Sequence, residues 1–84
     1  NLRKAEVSMK DLVEYIAKSI ASKPDEVNVT EETNEEDVTL IKLEVAPEDK
    51  GKVIGRQGRV AQSIRLLLRV AAVKSGTKAM LEIL

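Results

Sequence analysis

The sequence predicts an α+β domain with element order α-β-β-α-α-β. Its three strands form one mixed sheet, with the helices packed on a single face. Three observations carry this. Apolar residues recur at helical spacing near the start and again in the second half. Two alternating, β-branched runs flank an acidic turn. Two helical segments then separate the second such run from a third, a crossover long enough to make those two strands parallel.

Ser8-Met-Lys-Asp11 has the form of a capping box, in which the Ser8 hydroxyl accepts from the third helical amide. Met9, Leu12, Val13, Ile16 and Ile20 then make one apolar stripe, and Pro24 forbids continuation. The first helix is expected at about 9–22. Glu26 to Glu31 alternates as a half-buried strand, Glu32 to Asp37 is a charged turn, and Val38 to Val45 is a second strand. Ile41, Leu43 and Val45 share the face that should meet the helices. Pro47-Glu-Asp opens a short helix to about Ile54, with proline in the first turn and acids beside it. Gly55-Arg-Gln-Gly58 follows, then a long helix from about Arg59 to Ser75, closed by Gly76. Lys78 to Leu84 alternates again, with Ala79, Leu81 and Ile83 on one face. Residues 1–8 precede the patterned part and are expected to be an N-terminal extension, disordered or foreign to the domain. Residues 9–84 form the single domain.

Composition narrows the function. With 84 residues, 43% hydrophobic and 33% charged, the chain suits one small folded domain. Its core is aliphatic: Phe and Trp are absent and Tyr15 is the one aromatic residue. Without cysteine there is no disulfide or thiolate metal site, and without histidine no His-based triad and few zinc chemistries. No catalytic group, metal or cofactor is expected. The acids at Glu31, Glu32, Glu35, Glu36 and Asp37 lack calcium-loop spacing and read as a solvated turn. No apolar run reaches the roughly 18 residues of a membrane span, and residues 1–8 do not resemble a secretory signal. A cytoplasmic location is expected.

The net charge of zero conceals a division. Residues 1–37 carry five basic and ten acidic groups, a balance of −5, and residues 38–84 carry nine and four, a balance of +5. Lys50, Lys52, Arg56, Arg59, Arg65, Arg69, Lys74 and Lys78 occupy a stretch with no acid. Inside it lies the glycine loop. Gly55 and Gly58 permit a tight turn that a ligand can approach, leading into a helix N-terminus with Arg56 and Arg59 beside it. Phosphate is the natural ligand. The nucleotide-binding G-x-x-x-x-G-K-[ST] is absent, and Gly51, Gly55 and Gly58 have the wrong spacing for G-x-G-x-x-G. Two glycines alone would equally suit a plain helix–turn–helix corner. The apolar Val53-Ile54, the following arginine and the element order favour binding.

Lys52-Val-Ile-Gly-Arg-Gln-Gly-Arg59 resembles the V-I-G-x-x-G signature of KH domains, and the element order resembles their type II fold. Met9 to Ile16, Ala46 to Gly55 and Arg59 to Arg65 are more specifically similar to the small stand-alone bacterial KH proteins of the KhpA (YlqC-like) family. The likeness covers residues 9–84. It implies a loop that clamps roughly four nucleotides of single-stranded RNA by their backbone. Gly55 and Gly58 would shape that loop, Arg56 and Gln57 would touch the sugar-phosphate chain, and Lys52 and Arg59 would flank it. Val53, Ile54, Val60 and Ile64 would floor the groove, a place that helix packing also demands of them. The family is described as RNA chaperones acting with a larger Jag/KhpB-type RNA-binding partner and linked to cell-wall and cell-length control. Because aromatic stacking platforms are lacking, binding is expected to be weak, salt-sensitive and poorly selective.

On the long helix Val60, Ile64, Leu67, Leu68 and Ala71 are expected to face the core. Leu66, Val70 and Val73 lie opposite, which suggests a homodimer or a heterodimer with a KH partner through this face. A protein-interaction module with little RNA binding of its own is therefore the alternative function.

Overall fold

The structure, a computed structural model, describes residues 8–84. Of the expected extension, residues 1–7 lie outside the described residues, and Ser8 belongs to the first helix. Its hydroxyl accepts from the Asp11 N–H at 3.0 Å, which caps α1, Met9–Ile20. This helix ends at Ile20 and not at 22. Ala21 makes the last helical bond, to Ala17 C=O, and then turns extended. The next two amides, of Ser22 and Lys23, are taken by the Asp49 carboxylate. A tertiary acceptor thus stops the helix before Pro24 would.

Pro24–Glu26 forms a turn of 3₁₀-helix, so β1 runs Asn28–Thr33, two residues later than its alternation suggested. The turn after it is correspondingly short. Asn34 closes it, its side-chain oxygen accepting from the Glu36 and Val38 N–H groups at 2.8 and 3.1 Å. β2, Val38–Glu44, pairs antiparallel with β1, with Val29 opposite Leu43 and Thr33 opposite Thr39. β3, Lys78–Ile83, pairs with β2 in parallel, with Ile41 opposite Leu81. The order β1-β2-β3 is the mixed sheet expected.

Between β2 and β3 come a 3₁₀ turn at Pro47–Asp49, α2 at Lys50–Ile54, and α3 at Arg59–Lys74. The core joins Val13 and Ala17 of α1 to Val29, Ile41, Leu43 and Leu81 of the sheet, and to Val53, Ile64 and Leu68. The buried face of α3 is Ala61, Ile64, Leu68 and Ala72. Ile64 and Leu68 are where periodicity put them. Leu67, expected in the core, is 47% exposed. Val60 and Ala71 are half-buried. The helix is turned so that Ala61 and Ala72 are buried beside Ile64 and Leu68.

Candidate nucleic-acid interface

The glycine loop connects α2 to α3 by three left-handed residues. Gly55 has φ 79°, Gln57 φ 58° and Gly58 φ 74°. The two glycines are needed for different reasons. A Cβ on Gly55 would lie 2.8 Å from both Cβ and N of Val60, inside contact distance. A Cβ on Gly58 would meet nothing within 4 Å, so only its backbone conformation requires glycine there. Gln57 adopts the left-handed form without being glycine, a strained conformation that holds its side chain and that of Arg56 exposed at the loop's tip.

The flanking residues separate by burial. Val53 is fully buried and Ile64 nearly so. These two, expected to floor the groove, support the loop from within the core and offer no surface to a strand. Ile54, at 38% exposure, and half-buried Val60 remain at the surface. Arg56 and Arg59 are exposed. Among the described residues the ion pairs use Lys18, Lys23, Lys42 and Lys52, and none uses an arginine. The arginine charges are therefore not offset by a paired carboxylate.

Lys52 is differently placed. Its ammonium donates to the Ser22 hydroxyl and stands 3.7 Å from Oδ1 of Asp49. Asp49 is fully buried. Its Oδ1 accepts from the Ser22 N–H at 3.0 Å and its Oδ2 from the Lys23 N–H at 2.9 Å. Those backbone donors, Lys23 first, hold its carboxyl below the usual carboxylate range. Lys23 also pairs with Glu48 at 2.6 Å on the surface. That hydrogen bond lowers Glu48 and raises Lys23 from their ordinary values.

Sequence reasoning missed two features of the site. Asp49 was read only as a helix-start acid, because nothing local shows that its partners lie on the segment leaving α1. Arg65 and Arg69 were counted in the basic stretch but not assigned to the site. They line a trough between α3 and β3 with Leu68, Ala79, Met80 and Leu81. With Arg59 they also border a depression along α3. Their spacing of four residues, starting six after Arg59, was the available signal. A basic track thus runs from the loop along α3.

The leucine and valine side chains expected at an interface, Leu66, Val70 and Val73, are exposed, at 57, 50 and 71%. Leu67 joins them. The broad depression on the outer face of the sheet has Glu32 and Glu82 on its rim, which disfavours an anion. Among the described residues there is no group of three or more His, Cys, Asp or Glu able to hold a metal. No described helix is long and apolar enough to cross a membrane.

Known proteins resemble this chain in sequence and in fold. The family described as "KhpA/KhpB, KH domain" matches residues 10–83. The RNA-binding protein KhpA of Clostridium perfringens is 50% identical over 76 residues, covering 90% of this chain and 100% of that protein. Its namesake in Clostridium acetobutylicum is 51% identical with the same coverage. That of Aquifex aeolicus is 44% identical over 77 residues, covering 92% of this chain and 96% of that one. The family is non-enzymatic. Among solved structures, the fold resembles part of an Era variant from Aquifex aeolicus bound to GDP and AlF4−, with TM-score 0.56 and 17% identity over 89% of this chain and 29% of that one. It also resembles Era in complex with MgGDPNP and nucleotides 1506–1542 of 16S ribosomal RNA, with TM-score 0.55 and 17% identity over 89% and 28%. This chain spans less than a third of either, and at that identity the likeness concerns fold alone. The chain belongs to the KhpA/KhpB family of KH domains.

Proposed function

We propose that this protein binds single-stranded RNA, holding its backbone at Gly55-Arg-Gln-Gly58 between Lys52 and Arg59. The observation that carries the reading is the loop itself. Three left-handed residues turn the chain at the mouth of α3, and two exposed arginines stand there, paired with no carboxylate among the described residues. A phosphodiester strand supplies the charge that such a loop lacks, and α3 offers its N-terminal amides beside it. The names of the relatives, RNA-binding proteins, support RNA as the nucleic acid. The single aromatic residue, Tyr15, belongs to α1 and not to the loop, so contacts there are ionic and aliphatic and binding is weak and salt-sensitive. Such binding suits an RNA chaperone in the cytoplasm that joins and leaves many strands, acting with a larger Jag/KhpB-type partner in post-transcriptional and cell-envelope regulation.

The test is crosslinking to RNA in cells. Because Gly55 tolerates no Cβ, the informative variant keeps both glycines and replaces the tip, Arg56→Asp with Gln57→Asp. Aspartate is also at ease in the left-handed conformation of position 57. RNA recovery falls to background with the variant on this reading. Recovery equal to wild type would refute it.

A second role is favoured by Leu66, Val70 and Val73, an apolar strip on the side of α3 away from the core, with exposed Leu67 on its flank. Such a strip suits a homodimer or a heterodimer with the KH partner. Sedimentation at micromolar concentration tests the homodimer. A two-chain mass that Leu66→Glu reduces to one supports it, and a one-chain mass for wild type contradicts it.

A further inference from the structure

We propose that Asp49 and Ser22 are positioning residues for the RNA site: together they hold the ammonium of Lys52 at the entrance of α2, the helix that leads into the loop, where it meets a phosphate of the bound strand. The inference rests on reading the loop as an RNA site. Its basis is a junction that the loop sequence does not contain. α2 has five residues, too few to hold its own direction in water. It is fixed from outside, by Val53 in the core and by the Asp49 carboxylate at its entrance. That carboxylate does not cap its own helix. Both oxygens instead reach across to the segment leaving α1, accepting from Ser22 and Lys23.

Lys52 follows Asp49 by three residues, one turn on, and so lies above the same carboxylate. Its ammonium donates to the Ser22 hydroxyl and stands 3.7 Å from Asp49 Oδ1, and half of the side chain stays exposed, which leaves donor capacity for a ligand. Gly55 begins three residues later. A lysine is ordinarily a flexible point charge, and most of its contact with a phosphate is lost to ordering the stem. Here folding has already ordered it. Arg56 and Arg59 have no such anchor among the described residues and are ordered by the ligand.

The experiment is a set of double-mutant cycles, read as affinity for a fluorescent uridine 12-mer at low salt. Lys52→Gln is combined in turn with Asp49→Asn and with Ser22→Ala, at a temperature where each variant is folded by circular dichroism. Lys52→Gln should weaken binding about fivefold in the wild-type background and less than about twofold in either altered one. Arg56→Gln should cost the same in all three backgrounds, as a merely structural loss would not distinguish the two cations. A Lys52→Gln cost that is absent in wild type, or equal in every background, overturns the proposal. If Asp49→Asn does not fold, the Ser22→Ala cycle decides alone, because that residue is exposed and its hydroxyl accepts from the Lys52 ammonium. If wild type and Arg56→Gln both fail to bind, the RNA reading itself falls, and this inference with it.

Discussion

Gly55 is the least replaceable residue of the loop. Alanine there would force a Cβ against Val60 and keep an unfavourable left-handed backbone. Gly55→Ala should cost about 2–4 kcal/mol in urea unfolding, from strain and overpacking together. Gly58→Ala faces open space and should cost only about 1–2 kcal/mol, the price of the left-handed region alone. Equal losses would mean that the contact with Val60 relaxes freely. At Asp49 the same scale gives a pH dependence. Folding favours its ionised form, since the carboxyl titrates below its ordinary value. The corresponding stability is fully present above about pH 4, near the unfolded carboxyl value, and drains as pH falls through the lower folded one. The urea midpoint should therefore drop on acidification below about pH 4, and Asp49→Asn should flatten that drop. A wild-type midpoint unchanged on acidification would contradict it. The exposed Lys23–Glu48 pair contributes little to this.

Elements were legible where pattern and environment agree. β2 and β3 appear almost as their alternation required, since each presents one buried face. α1 ends two residues early and β1 lies two residues late, because Asp49 draws the Ser22 and Lys23 amides away from α1 and Pro24–Glu26 adds a turn. Neither cause is local to the pattern it disturbs. On α3 the apolar residues nearly encircle the helix, so periodicity could not fix its rotation. In the fold Ala61 and Ala72 are buried and Leu67 is exposed. This rotation can be measured. Leu68→Ala should cost about 2–5 kcal/mol and Leu67→Ala under about 1 kcal/mol. The reverse order would restore the periodicity-based face.

The charge division of the sequence becomes a spatial one. The acidic residues concentrate at the turn between β1 and β2, while the basic ones follow the loop and α3. The loop's glycines, Arg56, Gln57 and the cations beside them were readable directly, because a phosphate site is built from adjacent residues. Lys52's anchorage and the trough under Arg65 and Arg69 were not, since each depends on two segments distant in sequence meeting in the fold. The net charge of zero also bears on strength. With no general excess of positive charge, affinity comes from a few local contacts and should fade quickly as salt rises.

The most direct measurement is the affinity for a single-stranded RNA 12-mer across salt, for wild type and for Arg56→Asp/Gln57→Asp. With about four phosphate contacts, wild-type affinity should fall roughly 50-fold between about 50 and 200 mM salt. The variant should bind at least about tenfold more weakly at the lower salt, with a shallower slope. Wild-type affinity that does not change with salt, or a variant that binds as wild type does, would contradict a backbone clamp at this loop.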